Sequence, residues 1–479
     1  MQISLALVSH TNVGKTTLAR TLLGADVGEV RDAPHVTEFA DGHLLLQTPE
    51  GDRLMLWDTP GFGDSARLLR RLKQADQPLL GFLANTWDRV ADRPFWSSQQ
   101  ALRAVRDEAD VVLYLVNAAE SPAAAGYVGP EMDLLHWMGK PVLVLLNQLG
   151  APRPVAEEQA DVEAWRQHLA GRPLVRGVLP LDAFARCWVQ EGVLLAQVAG
   201  VLDGEPRAAM QRLHAAWQAA AEQRFGTAMA LLARGLARAA ADREPLPAGG
   251  TLRDLARRAG AALGLPRSED PALVAQQALA LRLEQSLQQD TAELIALHGL
   301  RGGAQAEVMA RIATHFDVQM PVDEGRAAVV GGLVTGALAG LKADIASGGL
   351  TLGGGLLAGG LIGALGAAGA ARAVNRLQGR DGGTGAVAWN DAALLAQAEA
   401  ALLRYLAVAH FGRGRGDWAA GEAPPHWRAL VAEGLAPEHA LLAAARKAGG
   451  AADFQLPLAA AARAVLGRLY PAAPHNPAP

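Results

Sequence analysis

The segment Ser9-His10-Thr11-Asn12-Val13-Gly14-Lys15-Thr16-Thr17 follows the apolar run Ile3 to Val8 and precedes Leu18, Leu22 and Leu23 at helical spacing. Strand, glycine-bearing loop and helix in that order turn successive backbone N–H groups and a helix N-terminus toward one anionic centre. In such a cradle Asn12, Val13, Gly14, Lys15, Thr16 and Thr17 line a chain of phosphates. Lys15 reaches the β- and γ-phosphates, and the Thr16 hydroxyl is a Mg²⁺ ligand. Ser9 stands where the pattern G-x-x-x-x-G-K-[ST] has its first glycine, so the reading rests on N-x-G-K-T in its strand–loop–helix setting. His10 reads as a solvent-facing loop histidine, and Asn12 as either an ordinary loop-stabilising side chain or an ion ligand.

Elements that would position the rest of such a site follow in order. Leu54-Met55-Leu56-Trp57 is a second apolar run ending in Asp58-Thr59-Pro60-Gly61, a D-x-x-G signature. There the Asp58 carboxylate holds Mg²⁺ through water, and the Gly61 N–H senses the γ-phosphate. Between them the polar stretch Arg31 to Glu38 suits a mobile switch, with Thr37 as its candidate second Mg²⁺ ligand. Lys15, Thr37 and Gly61 are therefore the groups expected to act at the transferred phosphate. Val111 to Val116 and Val142 to Leu146 are near-continuous apolar runs, as strands of a parallel sheet covered on both faces require.

N-V-G-K-T-T-L with D-T-P-G resembles the Era/TrmE-like branch of P-loop GTPases. Asp92-Arg93-Pro94-Phe95-Trp96, Glu108 to Tyr114 and Leu146-Asn147-Gln148 look more closely like a bacterial family that joins such a G domain to a C-terminal region of unknown function. The likeness covers residues 1 to about 200. It implies GTP and Mg²⁺ as ligands, GTP hydrolysis, and an α/β P-loop domain with a mostly parallel sheet.

Three departures shape the expected mechanism. Where the base-reading motif N-K-x-D belongs stands Asn147-Gln148-Leu149-Gly150. Asn147 can bond the purine and Gln148 supplies part of the stacking surface, but Gly150 removes the carboxylate that accepts from guanine. After the last strand Leu181-Asp182-Ala183-Phe184 replaces S-A-K. Ala183 N–H can approach the base oxygen, and Asp182 is a candidate for the missing acceptor. GTP ranks above ATP, which stays an alternative. Second, Phe62 occupies the place of a water-orienting glutamine. The resemblance implies slow intrinsic hydrolysis, stimulated by K⁺ near Asn12, by a partner or by a second G domain. Third, residues 62–109 form an enlarged switch insertion with Trp87-Asp88-Arg89, Phe95-Trp96 and a helix from Ser97 to Glu108. Trp87 and Trp96 are expected to pack on the G domain.

The 479 residues are too many for one core. The expected division is a G domain over 1–203, a helical domain over 204–324, a Gly-rich hydrophobic hairpin over 325–380, a C-terminal helical region over 381–470 and a disordered tail over 471–479. After Gly204, Met210, Leu213, Trp217, Phe225, Met229, Leu232 and Leu236 follow helical spacing. Further helices are expected from Ser268 to His298 and from Asp391 to His410, and others from Pro425 and Pro437, with Glu244 to Gly250 as a linker. Residues 327–371 hold 14 glycines and two charges, Lys342 and Asp344. Small residues four apart permit close helix contact in lipid, whereas mid-helix glycine in water costs about 1 kcal/mol against alanine. This segment is either a hairpin meeting inner-membrane lipid or a tightly packed soluble one. The net charge of −4 with no basic run gives no nucleic-acid footprint. A single cysteine, Cys187, excludes an intrachain disulfide framework and fits a reducing compartment. The reading is a cytoplasmic GTP/GDP switch, free or held at the inner membrane, acting on a protein effector through its helical region. The alternatives are a nucleotide sensor without hydrolysis and a ribosome or RNA assembly GTPase.

Overall fold

Eight residues from Gln2 to Ser9 form β1, and seven of them are buried, because this strand lies inside a sheet covered on both faces. The structure is a computed structural model that describes residues 1–24, 40–73, 93–149, 153, 155–183, 187–245, 271–300, 374–377, 386–410 and 425–471. The chain divides into two units, one built on residues 1–223 and the other on residues 224–408 and 418–471.

In the first unit β1 is followed by α1 (Lys15–Leu23), β2 (Asp41–Gln47), β3 (Arg53–Asp58), α2 (Ser65–Leu72), α3 (Arg93–Asp107), β4 (Val111–Asn117), α4 (Val128–His136), β5 (Val142–Asn147), α5 (Val155–Leu169), β6 (Val175–Pro180) and α6 (Trp188–Val201). The sheet order is β2-β3-β1-β4-β5-β6. All neighbours are parallel except the edge pair β2–β3, a hairpin that the sequence pattern does not announce in its first strand. β2 carries Asp41, Gly42 and His43 before Leu44-Leu45-Leu46 and has no buried residue, so its apolar stretch is shorter than those that mark the central strands.

Side chains alternate across each strand, and the two faces build two cores. Ile3, Leu5, Leu7, Leu113, Leu115, Leu143 and Leu145 pack with Leu18 of α1 and with Leu194, Leu195 and Val198 of α6. Ala6, Val8, Tyr114, Val116, Val144 and Leu146 pack with Leu68 and Leu72 of α2, Leu102 and Val105 of α3, Met132 of α4 and Trp165 of α5. The expected insertion helix thus exists and begins at Arg93, before Ser97. Phe95 and Trp96 are buried, as expected for Trp96, and Arg67 lies 4.6 Å from the Phe95 ring centroid. Trp87 to Arg89 lie outside the described residues.

A single helix, α7 (Gly204–Ala241), carries the periodic residues noted in the sequence, with Met210, Leu213, Phe225, Met229, Leu232 and Leu236 buried. The second unit adds β7 (Arg243–Pro245), α8 (Pro271–Leu297), β8 (Val374–Leu377), β9 (Ala386–Trp389), α9 (Asp391–Ala409), α10 (Pro425–Leu435), α11 (His439–Ala448) and α12 (Ala451–Leu469). It is helical, with three short strands in the order β7-β9-β8 added to what the sequence suggests. Glu244-Pro245, read as the start of a linker, belongs to β7 and pairs with β9. Tyr405 of α9 meets Phe225 edge-on at 5.7 Å and His298 at 6.1 Å. Asp290 takes an ion pair from Arg238, and burial lowers the nearby Arg404 guanidinium to about 10. Among the described residues one helix, α9, is long and apolar enough to cross a membrane, and most of that helix is buried within the protein. Residues 327–371, the expected hairpin, lie outside the described residues.

Candidate functional site

The carboxyl ends of β1, β3, β5 and β6 all open on one edge of the sheet, where α/β folds gather their ligand-binding loops. At the end of β1 the chain turns through Asn12 with φ 65° and Gly14 with φ 93° into α1. Gly14 is required twice over. Its left-handed backbone suits glycine, and a Cβ there would stand 2.8 Å from Asn147 Nδ2. Lys15 and Thr16 are thereby the first residues of α1, with the helix N-terminus behind them.

Lys15 Nζ donates to Ser9 Oγ at 3.0 Å, so the residue standing in place of the pattern's first glycine holds the lysine. The Thr16 hydroxyl donates to Asp58 Oδ2 at 2.6 Å. The two Mg²⁺ ligands read from separate motifs are therefore in direct contact. Asp58 Oδ1 is buried and has no hydrogen-bond partner among the described residues. A hydroxyl beside a carboxylate with an unsatisfied oxygen is a hard-oxygen donor set, which suits Mg²⁺ with water and phosphate completing its shell. The residues present fit that ion. Burial pushes the Asp58 carboxyl up, against the Thr16 bond and the Lys15 charge. It pushes the Lys15 ammonium down, against the charges of Asp58 and Glu131. Thr37 lies outside the described residues.

Thr59 is locked to the sheet by its hydroxyl, which donates to Leu7 O at 2.6 Å. Beyond Pro60 and Gly61, the Phe62 N–H donates to Ser9 O at 2.9 Å, tying the D-T-P-G loop to the phosphate loop. The Phe62 ring is fully buried in the core with Leu68, Leu69 and Phe95. It cannot orient water, and its position is part of the packing. Gly63 N–H donates to Ser98 Oγ at 3.2 Å, so α3 rests directly on this loop.

At the base end Asn147 is buried and joins two loops. Its Nδ2 donates to Val13 O at 2.7 Å, and its Oδ1 accepts from Ala183 N–H at 2.9 Å. The Ala183 N–H, read as an approach to the base oxygen, is directed to this asparagine, and Ala183 O accepts from Thr21 at 2.8 Å. Gln148 has φ 59°, and the Asp182 carboxylate accepts Leu149 N–H at 2.6 Å. Gly150 lies outside the described residues.

His10 requires a correction. It is not a free loop side chain: its Nδ1 lies 2.8 Å from Glu131 Oε1, and its ring stacks on Tyr127 at 4.6 Å. Glu131 is fully buried and also accepts the Tyr114 hydroxyl at 2.6 Å. Burial pushes that phenol well up. Sequence reasoning missed this network because Glu131 sits on a helix 121 residues downstream. The only signal was an acidic residue amid the apolar positions of α4.

Comparison with known proteins gives two family matches. Residues 4–148 match the 50S ribosome-binding GTPase family, and residues 175–455 match a domain of unknown function, DUF3482. The GTPase Der of Myxococcus xanthus is 30% identical over 151 residues, covering 31% of this chain and 26% of its own length. That of Mycolicibacterium vanbaalenii is 28% identical over 205 residues, covering 42% and 37%. The chain thus spans between about a quarter and two fifths of these curated relatives. Among solved structures, Era in complex with MgGDPNP and nucleotides 1506–1542 of 16S ribosomal RNA aligns at 19% identity and TM-score 0.32, covering 42% of this chain and 57% of that one. The FeoB G-domain of Methanococcus jannaschii aligns at 20% identity and TM-score 0.22, covering 38% and 86%.

Proposed function

Because this chain belongs to the DUF3482 family and carries a GTPase domain at residues 4–148 ahead of that region, we propose that it is a GTP-driven switch with slow, Mg²⁺-dependent hydrolysis. The observation that carries this reading is the contact of Thr16 with Asp58 beside Lys15, bound to Ser9. Lys15 meets the β- and γ-phosphate oxygens, and the N–H groups from Asn12 to Thr17 follow the phosphates. Thr16 and Asp58 would hold Mg²⁺, which would supply positive charge against that developing on the transferred group. Two buried groups whose charged forms are disfavoured by burial gain from that exchange, the Lys15 ammonium and the Asp58 carboxylate. Gly61 N–H reads the γ-phosphate, and the bond from Phe62 to Ser9 carries that reading back to the phosphate loop. A buried Phe62 supports slow intrinsic turnover, raised by K⁺ at Asn12, by a partner or by a second copy of the G domain.

Competition of GTP and ATP for a fluorescent guanine nucleotide tests the ligand. Tighter competition by GTP is expected, and equal or better ATP binding refutes it. Turnover in KCl against NaCl, at several protein concentrations, tests the source of activation. Equal rates throughout would remove both the K⁺ and the dimer routes.

The helical region is the effector arm in this reading, and residues 327–371 are its proposed contact with lipid. The buried Phe62 also favours a second reading, a sensor that binds triphosphate without cleaving it. Bound diphosphate after incubation with triphosphate separates the two. The family match at residues 4–148 supports a third, assembly of ribosomal particles, which co-sedimentation with those particles tests.

A further inference from the structure

His10 is the residue at which three parts of the site meet. Its backbone pairs in parallel with Phe62, so the D-T-P-G loop continues the pairing of β1 with β3 past the strand end. Its ring stacks on Tyr127, and its Nδ1 lies 2.8 Å from Glu131 Oε1. The carboxylate accepts, which puts that ring proton on Nδ1. Glu131 is itself pinned. It is fully buried, and its Oε2 accepts the hydroxyl of Tyr114, which pairs with Val8 of β1. On the other side of His10, the Ser9 hydroxyl donates to the His10 carbonyl and accepts from Lys15 Nζ at 3.0 Å. One line of contacts thus runs from α4 to the buried ammonium, through Glu131, His10, Ser9 and Lys15.

We propose that the His10–Glu131 pair is a positioning device for Lys15, which it holds through the Ser9 hydroxyl where the phosphates arrive; the assignment rests on the reading of residues 9–17 as a triphosphate cradle. The physical reason is preorganisation. A lysine stem loses rotamer freedom when its ammonium is fixed, and a loop that fixes it beforehand removes that loss from the binding step. A hydroxyl rotor presents a lone pair to Lys15 only while its proton is engaged elsewhere. The His10 carbonyl engages it, and Glu131 holds that residue still. A glycine at position 9 offers no hydroxyl, so this linkage belongs to the departure at Ser9. Glu131 adds charge to geometry. Burial disfavours the Lys15 ammonium, and the charges of Asp58 and Glu131 oppose that.

The competing role is packing alone, in which the His10 ring fills space beside Tyr127. Full-length variants separate the two by equilibrium binding of a fluorescent GTP analogue with Mg²⁺. His10→Phe keeps the stack and removes the donor, and is expected to weaken binding about tenfold, the loss of one hydrogen bond. His10→Asn gives up the ring but sets an amide nitrogen near the place of Nδ1, and should return binding to within about threefold of the wild type. In a Ser9→Gly background the line is already cut, so adding H10F should change affinity by less than about twofold. H10N binding no better than H10F, at unchanged melting temperatures, overturns the proposal. A tenfold loss from H10F that persists beside S9G overturns it too, since the effect would bypass Ser9. Where H10F unfolds because it strands a buried carboxylate, H10F/E131Q carries the same expectation, for the amide oxygen still accepts Tyr114. Wild-type affinity in that double variant also overturns the proposal. Wild-type protein that binds no triphosphate would instead sink the cradle reading, which keeps the two failures apart.

Discussion

Phe62 occupies the place of a water-orienting side chain, yet it is a core residue with Leu68, Leu69 and Phe95 around it. Phe62→Gln is expected to cost about 3 kcal/mol of stability, since it removes ring packing and buries an amide. It is expected to leave single-turnover hydrolysis no faster. A faster enzyme of unchanged melting temperature would contradict the buried position. Lys15 is the opposite case, a buried charge whose ammonium donates to the neutral Ser9 hydroxyl. Lys15→Ala should lower triphosphate affinity by at least about a hundredfold, because a charge-assisted contact to phosphate is lost. Equilibrium binding of a fluorescent GTP analogue measures it, and a loss of under threefold would displace Lys15 from the phosphates. Both positions were legible in the sequence because each directly follows a motif glycine, Gly14 or Gly61. His10 was not, since its partner Glu131 reaches it only through the packing of α4 beside β1.

At the scale of elements, α3 rests on the D-T-P-G-F-G loop. A Cβ on Gly63 would stand 2.5 Å from Pro94 Cβ and 2.6 Å from Pro94 Cα. Backbone cannot yield as a side-chain tip does, so Gly63→Ala should push α3 off the loop and cost about 1–3 kcal/mol. Chemical denaturation, followed by the fluorescence of buried Trp96, reads both the cost and the local displacement. Retention of wild-type stability would mean that the loop and helix separate freely. The edge hairpin β2–β3 has its own clasp. Asp52, in its turn, accepts Arg212 of α7 at 2.7 Å and the Met1 amino group at 2.8 Å. The Arg212 bond first, then the amino group, holds the Asp52 carboxyl at about 2, below the ordinary 3.8. The folded form thus binds its proton less readily than the unfolded chain. The clasp's contribution is complete above about pH 4 and is lost as pH falls through about 2. Asp52→Asn should flatten the acid limb of stability in that window, as thermal melts between pH 2 and 5 would show. An unchanged limb would discount the clasp. Its register is invisible in the sequence, where Asp52 and Arg212 are 160 residues apart and neither sits in a motif.

At the scale of the molecule, the G domain was the readable half. Apolar runs that fill a doubly covered sheet are hard to mistake, and the motifs fall at the ends of those strands. The helical unit was readable as helices, through the spacing of Phe225, Met229, Leu232 and Leu236, but its three short strands were not. Four-residue strands such as Ala386–Trp389 carry too few alternations to signal themselves. The proposed lipid contact predicts that full-length protein floats with vesicles of bacterial phospholipid and that GTP and GDP give different floated fractions. Protein left wholly at the bottom of the gradient in both states would confine the arm to protein partners. Mg²⁺ removal by chelation should weaken GTP binding, since the Asp58 carboxylate would then face the phosphates with no cation between them and Lys15 as the compensating charge. Retention of GTP in excess chelator would count against those two residues as its ligands. Asn147 remains the pivot of the site, with one amide fastening the loops that begin at Val13 and Ala183. Its consequence is modularity: a framework kept by one amide leaves neighbouring positions open to change, so a related sequence could adopt a different purine without relearning how to fold.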